Sequence, residues 1–144
     1  MGLAIEQAKM AAREGEVPVG CVIVRDSEVI ATGRNRREAE RSALGHAEID
    51  AVAAACKALG DWRLSDAVIY VTLEPCPMCA GAIINARIPE VVFGARDPEA
   101  GAVGSVINLF EERFPHHPRV VGGVLEKECG ALLDEFFQQV RRRQ

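Results

Sequence analysis

Two short motifs constrain the fold of this chain more than any other feature of its sequence. His46-Ala47-Glu48 carries an imidazole and a carboxylate, and Pro75-Cys76-Pro77-Met78-Cys79 carries two thiols. An imidazole and two thiolates are three ligands that Zn²⁺ binds in hydrolytic enzymes, where the fourth position stays open for water. Because the two motifs are far apart in sequence, the fold must bring them together if they bind one ion.

The spacing within each motif limits what can be predicted from the residues alone. Cys76 and Cys79 are three positions apart, so both thiols face one side of a first helical turn. The partial positive charge at a helix N-terminus lowers the pKa of a thiol and favours the thiolate that a metal needs. Glu48 lies two positions after His46, and such positions do not share a helix face. Spacing therefore does not place the Glu48 carboxylate at the metal.

Two other interpretations of the cysteine pair remain open at this point. A C-x-x-C sequence after a strand is also typical of thioredoxin-like redox sites. Those sites usually carry Trp before the pair and Gly-Pro inside it, whereas this chain has Pro75 and Pro77-Met78 there. The other alternative is a closed structural zinc site with four protein ligands. The candidates for its fourth ligand are Cys21, Cys56, Cys129, His116 and His117. None has paired metal-ligand spacing with another cysteine. We interpret the three additional cysteines as core residues, because each lies in apolar surroundings.

Length and composition indicate one domain, residues 1–144, with enough apolar residues for a sizeable core. Hydrophobic residues make up 49% of the chain and charged residues 26%, as in ordinary globular proteins. No apolar stretch approaches the ~18 residues of a membrane helix, and the first residues lack a signal-peptide pattern. The chain has five cysteines, and an odd number argues against a disulfide framework. We therefore expect a cytoplasmic protein with no membrane segment.

The net charge of −4 excludes a generally basic nucleic-acid-binding surface. Positive charge is concentrated in the Arg34–Arg41 segment and in Arg141-Arg142-Arg143. Arginine is well suited to phosphate recognition, although a run of arginines and glutamates is more often a solvated surface. Any contact with RNA must therefore be a local patch.

Hydrophobic periodicity predicts alternating strands and helices, which indicates a three-layer α/β domain. Gly15 and Gly60 end two predicted helices, and Pro77 is tolerated in the first turn of a third. The predicted strands are residues 17–24, 29–32, 67–73, 90–93 and 119–124. The predicted helices are residues 3–13, 46–59, 76–86 and 126–143, with a short helix at 105–110. Residues 33–45 are predicted to form a loop.

Further segments outside the two motifs carry a resemblance to a known family. The H-x-E…P-C-x-x-C pattern is typical of zinc nucleobase deaminases in general. Four longer segments, residues 16–20, 70–76, 78–82 and 92–97, resemble bacterial tRNA adenosine deaminases, and the likeness extends over almost the whole chain. This resemblance implies a three-layer α/β/α cytidine deaminase-like fold, in which a five-stranded mixed sheet has helices on both faces. It also implies one Zn²⁺ per subunit, held by His46, Cys76 and Cys79.

The same resemblance implies a reaction and a set of substrate contacts. The expected activity is hydrolytic deamination of adenosine to inosine at the wobble position of a tRNA anticodon loop, by a homodimer. Glu48 is the expected catalytic residue, which takes a proton from water, passes it to the purine N1 and then protonates the departing ammonia. Asn35 is expected to hydrogen-bond the extruded base, Asp97 to lie near the target ribose, and Asn108 to lie near the substrate.

Two departures from the family pattern and two rival functions accompany this prediction. Gly45 precedes His46 where the family more often has alanine, and His117-Pro118-Arg119 replaces an Asn-His-Arg sequence. One rival is a deaminase of the same fold that acts on a free base or nucleoside, guanine or cytosine. The other is a zinc-stabilised RNA-binding subunit without activity, against which Glu48 argues because such a subunit needs no general base.

Overall fold

A five-stranded mixed sheet organises the fold, and the computed structural model describes all residues from 1 to 144. The elements in chain order are α1 (Gly2–Arg13), β1 (Gly20–Arg25), β2 (Glu28–Arg34), α2 (Arg37–Glu40), α3 (Ala47–Leu59), β3 (Ala67–Leu73), α4 (Pro77–Asn85), β4 (Glu90–Ala95), a 3₁₀ turn (Leu109–Glu111), β5 (Arg119–Val121) and α5 (Glu126–Arg142). The strand order is β2-β1-β3-β4-β5. Strand β1 is antiparallel to both β2 and β3, whereas β3, β4 and β5 run parallel.

The helices form one layer on each face of this sheet. Helix α3 packs on β1 and β2 and contacts α4, whereas α1 and α5 contact each other and pack on the opposite face. Glycines permit the close approach of helix to strand on both faces. A Cβ at Gly20 would collide with the backbone of α1 at Ala4, and a Cβ at Gly33 would collide with the backbone of α3 at Ala47. The predicted three-layer arrangement is therefore confirmed.

The core lies between the sheet and the two helix layers, as the apolar strand sequences predict. The central strands β1, β3 and β4 are fully buried on one face, where Ile23, Ile69, Val71, Val91 and Phe93 have almost no exposed surface. On the other face Val22 and Val92 are buried, whereas Tyr70 is half-buried. Buried apolar side chains of this kind each stabilise the fold by about 1.5–3 kcal/mol relative to full exposure. None of the helices combines the length and apolar character that crossing a membrane requires.

Strand β5 and the helix predicted at 105–110 differ from the elements observed, and glycine and a buried carboxylate explain why. Strand β5 ends at Val121 and not at residue 124, because Gly122 packs against the ring of Phe93 and Gly123 has a positive φ of 82°. The helix predicted at 105–110 is a 3₁₀ turn at Leu109–Glu111 instead. Glu74 holds the start of this segment in another conformation, since its carboxylate accepts from the N–H groups of Val103 and Ser105 and from the Ser105 hydroxyl.

Candidate active site

The carboxyl ends of three strands meet at one edge of the sheet and bring the predicted site residues together. Since β2 and β3 are both antiparallel to β1, the strands β2, β3 and β4 run in the same direction. Asn35 follows β2, Cys76 follows β3, and Asp97 follows β4. Ligand sites in open α/β sheets lie at this edge. Asn35 and Asp97 therefore flank the cysteine motif from either side.

Two helix N-termini supply the three metal-ligand candidates. His46 is the residue immediately before α3, and Cys76 is the residue immediately before α4; both have extended backbone. Pro77 occupies the first position of α4, where its missing N–H is not needed. Cys79 follows in the first turn and is fully buried. Both helices direct their partial positive charge at the thiols.

The separation of the three ligand atoms fits a zinc ion. His46 Nδ1 lies 3.6 Å from Cys76 Sγ and 3.5 Å from Cys79 Sγ, and all three atoms lie within 4.8 Å of one another. A tetrahedral ion with usual zinc–sulfur and zinc–nitrogen bonds separates sulfur from nitrogen by roughly 3.6 Å. The cluster has no fourth His, Cys, Asp or Glu ligand within this chain, so one position is open to a non-protein ligand.

The other candidates for a fourth ligand are engaged elsewhere in the structure. The ring of His116 bonds the carbonyl of Ile88, and that of His117 bonds the carbonyl of Phe110. The three remaining cysteines, Cys21, Cys56 and Cys129, are free thiols apart from the cluster. A closed four-ligand structural site therefore does not form within the chain.

A hydrogen bond between the two thiols shifts their pKa values in opposite directions. A hydrogen bond from the Cys79 thiol lowers the pKa of Cys76 to about 4, and the neighbouring His46 lowers it further. The same hydrogen bond, together with burial, raises the pKa of Cys79. The hydrogen bond with Cys76 also raises the pKa of His46. A metal that binds both thiolates displaces these protons, so its affinity falls at low pH.

Glu48 lies beside the cluster, although spacing alone did not place it there. Its side chain lines the same cavity as His46 and Cys76, and the residue is only 4% exposed. The helical rule for positions i and i+2 does not apply, because His46 lies outside α3 with extended backbone. Burial raises the pKa of Glu48 to about 7. A carboxyl group with a pKa near neutral both accepts and donates protons readily.

A cavity of about 700 Å³ opens at this edge of the sheet. It contains Asn35 and Asp97 from the predicted set, next to the metal-ligand candidates. Arg37, from the arginine-rich segment singled out in the sequence, also lines it, whereas the sequence did not indicate Arg96, Leu133, Asp134 and Phe137. The last three belong to α5, which reaches the cavity because it packs on β3 and β4. No local signal in the sequence connects this helix to the zinc motif.

Asn35 retains hydrogen-bonding capacity toward the cavity. It is 6% exposed, its Nδ2 donates to the carbonyl of Val17 at 3.1 Å, and its Oδ1 accepts from the N–H of Arg37 at 3.2 Å. An asparagine side chain offers two N–H donors and two acceptor lone pairs. One donor and one acceptor therefore remain for a ligand.

The other two predicted substrate residues occupy different environments. Asp97 lines the cavity, and its Oδ1 accepts from the N–H groups of Glu99 and Ala100, so that Oδ2 stays free of hydrogen bonds within the chain. Asn108 does not line this cavity. Its Oδ1 accepts from the N–H of Phe110 and caps the 3₁₀ turn. The role of Asn108 near a substrate remains a prediction.

Comparisons of sequence identify the family. The family model of the MafB19-like deaminases matches residues 1–141. A tRNA-specific adenosine deaminase of Bacillus subtilis (strain 168) is 53% identical over 141 residues, which are 97% of this chain and 88% of the relative. The chain belongs to the tRNA-specific adenosine deaminase family. A second member, from Agrobacterium fabrum, is 45% identical over 98% of this chain and 93% of its own length.

Solved structures agree with this membership. A structure described in work on A-to-I editing by tRNA:A34 deaminases at the wobble position of transfer RNA has a TM-score of 0.89 and 46% identity, over 92% of this chain and 97% of that one. A guanine deaminase from Nitrosomonas europaea has a TM-score of 0.76 and 26% identity, over 94% of this chain and 81% of that one. The predicted cytidine deaminase-like α/β/α fold is therefore confirmed.

Proposed function

We propose that the protein hydrolyses adenosine to inosine at the wobble position of a tRNA anticodon loop, with one Zn²⁺ per subunit. Water replaces the amino group at C6 of the purine, and ammonia leaves. The observation that carries the proposal is the open cluster of three metal ligands with a buried carboxylate beside it, in a chain 53% identical to a tRNA-specific adenosine deaminase.

The protein's own residues would hold the metal and move the protons. His46 through Nδ1, Cys76 and Cys79 are the ligands, since their atoms fit tetrahedral zinc. When bound, zinc supplies a Lewis acid that activates water for attack. Glu48 accepts a proton from the attacking water, donates one to the purine N1, and then protonates the departing amino group. Its pKa of about 7 suits both directions of transfer.

The cavity around the cluster offers groups that suit a nucleotide. Asn35 presents an unused donor and acceptor, which matches the mixed edge of a purine. Asp97 Oδ2 is free to accept from a ribose hydroxyl. A base in an anticodon loop is already unpaired, so moving it into the cavity costs less than opening a duplex.

Arginines near the cavity are the proposed contacts to phosphate. Arg37 and Arg96 line the cavity, and Phe137 lines it from α5. Arg141 lies four positions after Phe137, so both share one face of α5. Because the net charge is −4, these few arginines must supply the attraction to RNA locally.

Turnover of an anticodon stem-loop RNA against free guanine, cytosine and adenosine tests the proposal. We expect inosine to form in the stem-loop and little deamination of the free compounds. Affinity for the stem-loop should fall with salt, by a slope of about 0.7 per neutralised single-strand phosphate, and few contacts give a shallow slope. Faster turnover of a free base, independent of salt, would favour the small-molecule deaminase, whose fold the Nitrosomonas europaea enzyme shares. Stem-loop binding without turnover of any compound would favour the RNA-binding subunit.

Asn35→Ala is expected to weaken the transition-state binding of stem-loop RNA by ~1–3 kcal/mol, the usual worth of a good base-edge contact. The change should appear mainly in KM, since Asn35 binds the base and transfers no proton. Asn108→Ala serves for comparison, because Asn108 is also predicted to lie near the substrate but lies outside the cavity. Equal losses in kcat/KM for the two variants would place Asn108 in the substrate site as well. No loss in Asn35→Ala would contradict its role.

The proposal also includes the oligomeric state and the location of the protein, which we expect to be a homodimer in the cytoplasm. The adjacent apolar side chains of Val106 and Ile107 are exposed and support association, because exposed apolar surface often marks protein–protein contacts. The five free cysteines suit a reducing compartment. Light scattering on the purified protein measures the mass, and a monomer at micromolar concentration would contradict the dimer.

A further inference from the structure

A buried carboxylate that takes no part in the proposed chemistry caps a short helix next to the cavity. Glu16 is 3% exposed and forms no ion pair. One of its oxygens accepts from the N–H of Glu38 at 3.0 Å and the other from the N–H of Ala39 at 2.8 Å. Both N–H groups lie in the first turn of α2, where the helix itself offers no acceptor. Glu16 thus supplies from a distant part of the chain the cap that α2 lacks locally.

Helix α2 depends on this cap for its stability. It has four residues and no buried side chain, and Arg41 ends it with a left-handed backbone. A helix this short is not stable on its own, because nucleation costs more than a single turn of hydrogen bonds returns. Asn35 Oδ1 accepts from the N–H of Arg37, so Asn35 and Glu16 together satisfy the first three N–H groups of the helix.

The segment that follows Glu16 in the chain also forms hydrogen bonds with Asn35. The carbonyl of Val17 accepts from Asn35 Nδ2, and the carbonyl of Val19 accepts from the N–H of Asn35. Residues 16–19 therefore hold residues 35–39 in place through hydrogen bonds from both side chains and backbone. The orientation of the Asn35 amide depends on the turn that Glu16 caps, because the N–H of Arg37 that bonds Asn35 Oδ1 belongs to that turn.

An equivalent carboxylate holds the opposite rim of the cavity. Glu74 is 2% exposed and accepts from the N–H groups of Asp97, Val103 and Ser105 and from the Ser105 hydroxyl. Burial alone would raise the pKa of Glu74, but these hydrogen bonds hold it below its ordinary value. Glu74 follows β3 and holds the segment after β4, which is separate from the segment that Glu16 holds. It is therefore a matched control for Glu16.

We propose that Glu16 is a positioning residue that acts through Asn35: by capping α2 it fixes the asparagine amide for binding the substrate base. The inference rests on the proposed function, in which Asn35 contacts that base. Glu16 does not touch the substrate, since its carboxylate is occupied by α2. Loss of the carboxylate removes the acceptor of two N–H groups, and the first turn of α2 and the Asn35 amide lose their fixed geometry.

Glu16→Ala should raise KM for the stem-loop by about 10- to 100-fold, as small displacements of binding groups do. Since zinc ligands and Glu48 are untouched, kcat and zinc content should change little. Glu16→Gln should fall between wild type and Glu16→Ala, because its amide oxygen still accepts one hydrogen bond while its NH₂ faces the second N–H donor. A fall in kcat at unchanged KM would overturn the inference.

A double-mutant cycle separates positioning from general stabilisation. In an Asn35→Ala background, Glu16→Ala should raise KM by less than about threefold, because residues that act through one another are not additive. Glu74→Ala should change KM by the same factor with and without Asn35, since Glu74 holds the other rim of the cavity. Equal effects of Glu16→Ala with and without Asn35 would overturn the inference. Glu16→Gln replaces Glu16→Ala in the cycle if the alanine variant fails to fold.

Amide hydrogen exchange gives a measurement that does not depend on the substrate. Exchange at Glu38 and Ala39 should accelerate in Glu16→Ala, while the amides of β3 and β4 keep their protection. Unchanged protection at Glu38 and Ala39 would overturn the inference even if activity fell. Conversely, a wild-type protein that fails to deaminate the stem-loop contradicts the proposed function, whereas the exchange data still decide whether Glu16 holds the turn.

Discussion

Glu48→Ala is expected to lower the turnover of stem-loop RNA by ~10³–10⁴-fold while the protein keeps its zinc. Loss of a positioned acid or base typically costs ~10²–10⁴-fold, and Glu48 is proposed to serve in more than one proton transfer, which puts the loss at the upper end. Zinc should remain, because the cluster of ligand candidates consists of His46, Cys76 and Cys79 without Glu48. Single-turnover kinetics with metal analysis of the same samples measure both quantities.

Two control variants show whether the effect belongs to the proton-transferring carboxyl. Glu48→Gln keeps the shape of the side chain and cannot transfer a proton, so its turnover should fall as far as that of Glu48→Ala. Asp50→Asn removes a carboxylate two positions along the same helix, where Asp50 pairs with Arg36 at 3.4 Å. Its turnover should stay within a few-fold of wild type. Near-normal turnover in Glu48→Gln with zinc bound would contradict the proposed mechanism.

The grouping of the three metal-ligand candidates was predictable because metal chemistry restricts both residue type and local spacing. Cys76 and Cys79 had to share a helical turn, and the structure places both at the start of α4. Glu48 was different, since helical spacing argued against its sharing a face with His46. The structure resolves this because His46 precedes the helix and Ala47 begins it. A change of one residue in a helix boundary thus decides where the carboxylate lies.

Elements that depend on distant contacts were not predictable in the same way. Residues 33–45 were predicted as a loop, but Glu16 caps the short helix α2 within them from 22 residues away. Strand β1 begins at Gly20 and not at residue 17, because the N–H of Val19 turns back to the carbonyl of Val17 around Pro18. The central strands were predicted well, because a buried strand is apolar throughout whatever its partners are.

The contribution of helix α5 to the cavity could not be predicted without knowing on which strands this helix packs. Phe137 lies on a helix whose sequence shows only an exposed charged face and an apolar one. It reaches the cavity because α5 packs across β3 and β4. Sequence periodicity predicts the helix but not the layer or the strands on which it packs.

Cys79→Ser is expected to abolish zinc binding and, with it, turnover. Wild-type protein should contain one zinc per chain, since the chain forms one cluster of three ligands. A serine hydroxyl does not ionise near neutral pH, so the variant retains only two ligands for the ion. Zinc affinity should fall by at least about 100-fold, because even changes around the ligands cost ~10- to 100-fold. Elemental analysis after dialysis against a weak chelator measures the zinc content.

Cys56→Ser is the matched control for this loss. The Cys56 thiol lies near the carbonyl of Trp62 at 3.6 Å and outside the ligand cluster, so the variant should keep its zinc and its turnover. Cys76→Ser should behave like Cys79→Ser, since both sulfur atoms are close to His46 Nδ1. Full zinc content in either ligand variant would mean that the metal binds elsewhere. Zinc-free wild-type protein with a reducible Cys76–Cys79 disulfide would instead favour the redox interpretation of the C-x-x-C sequence.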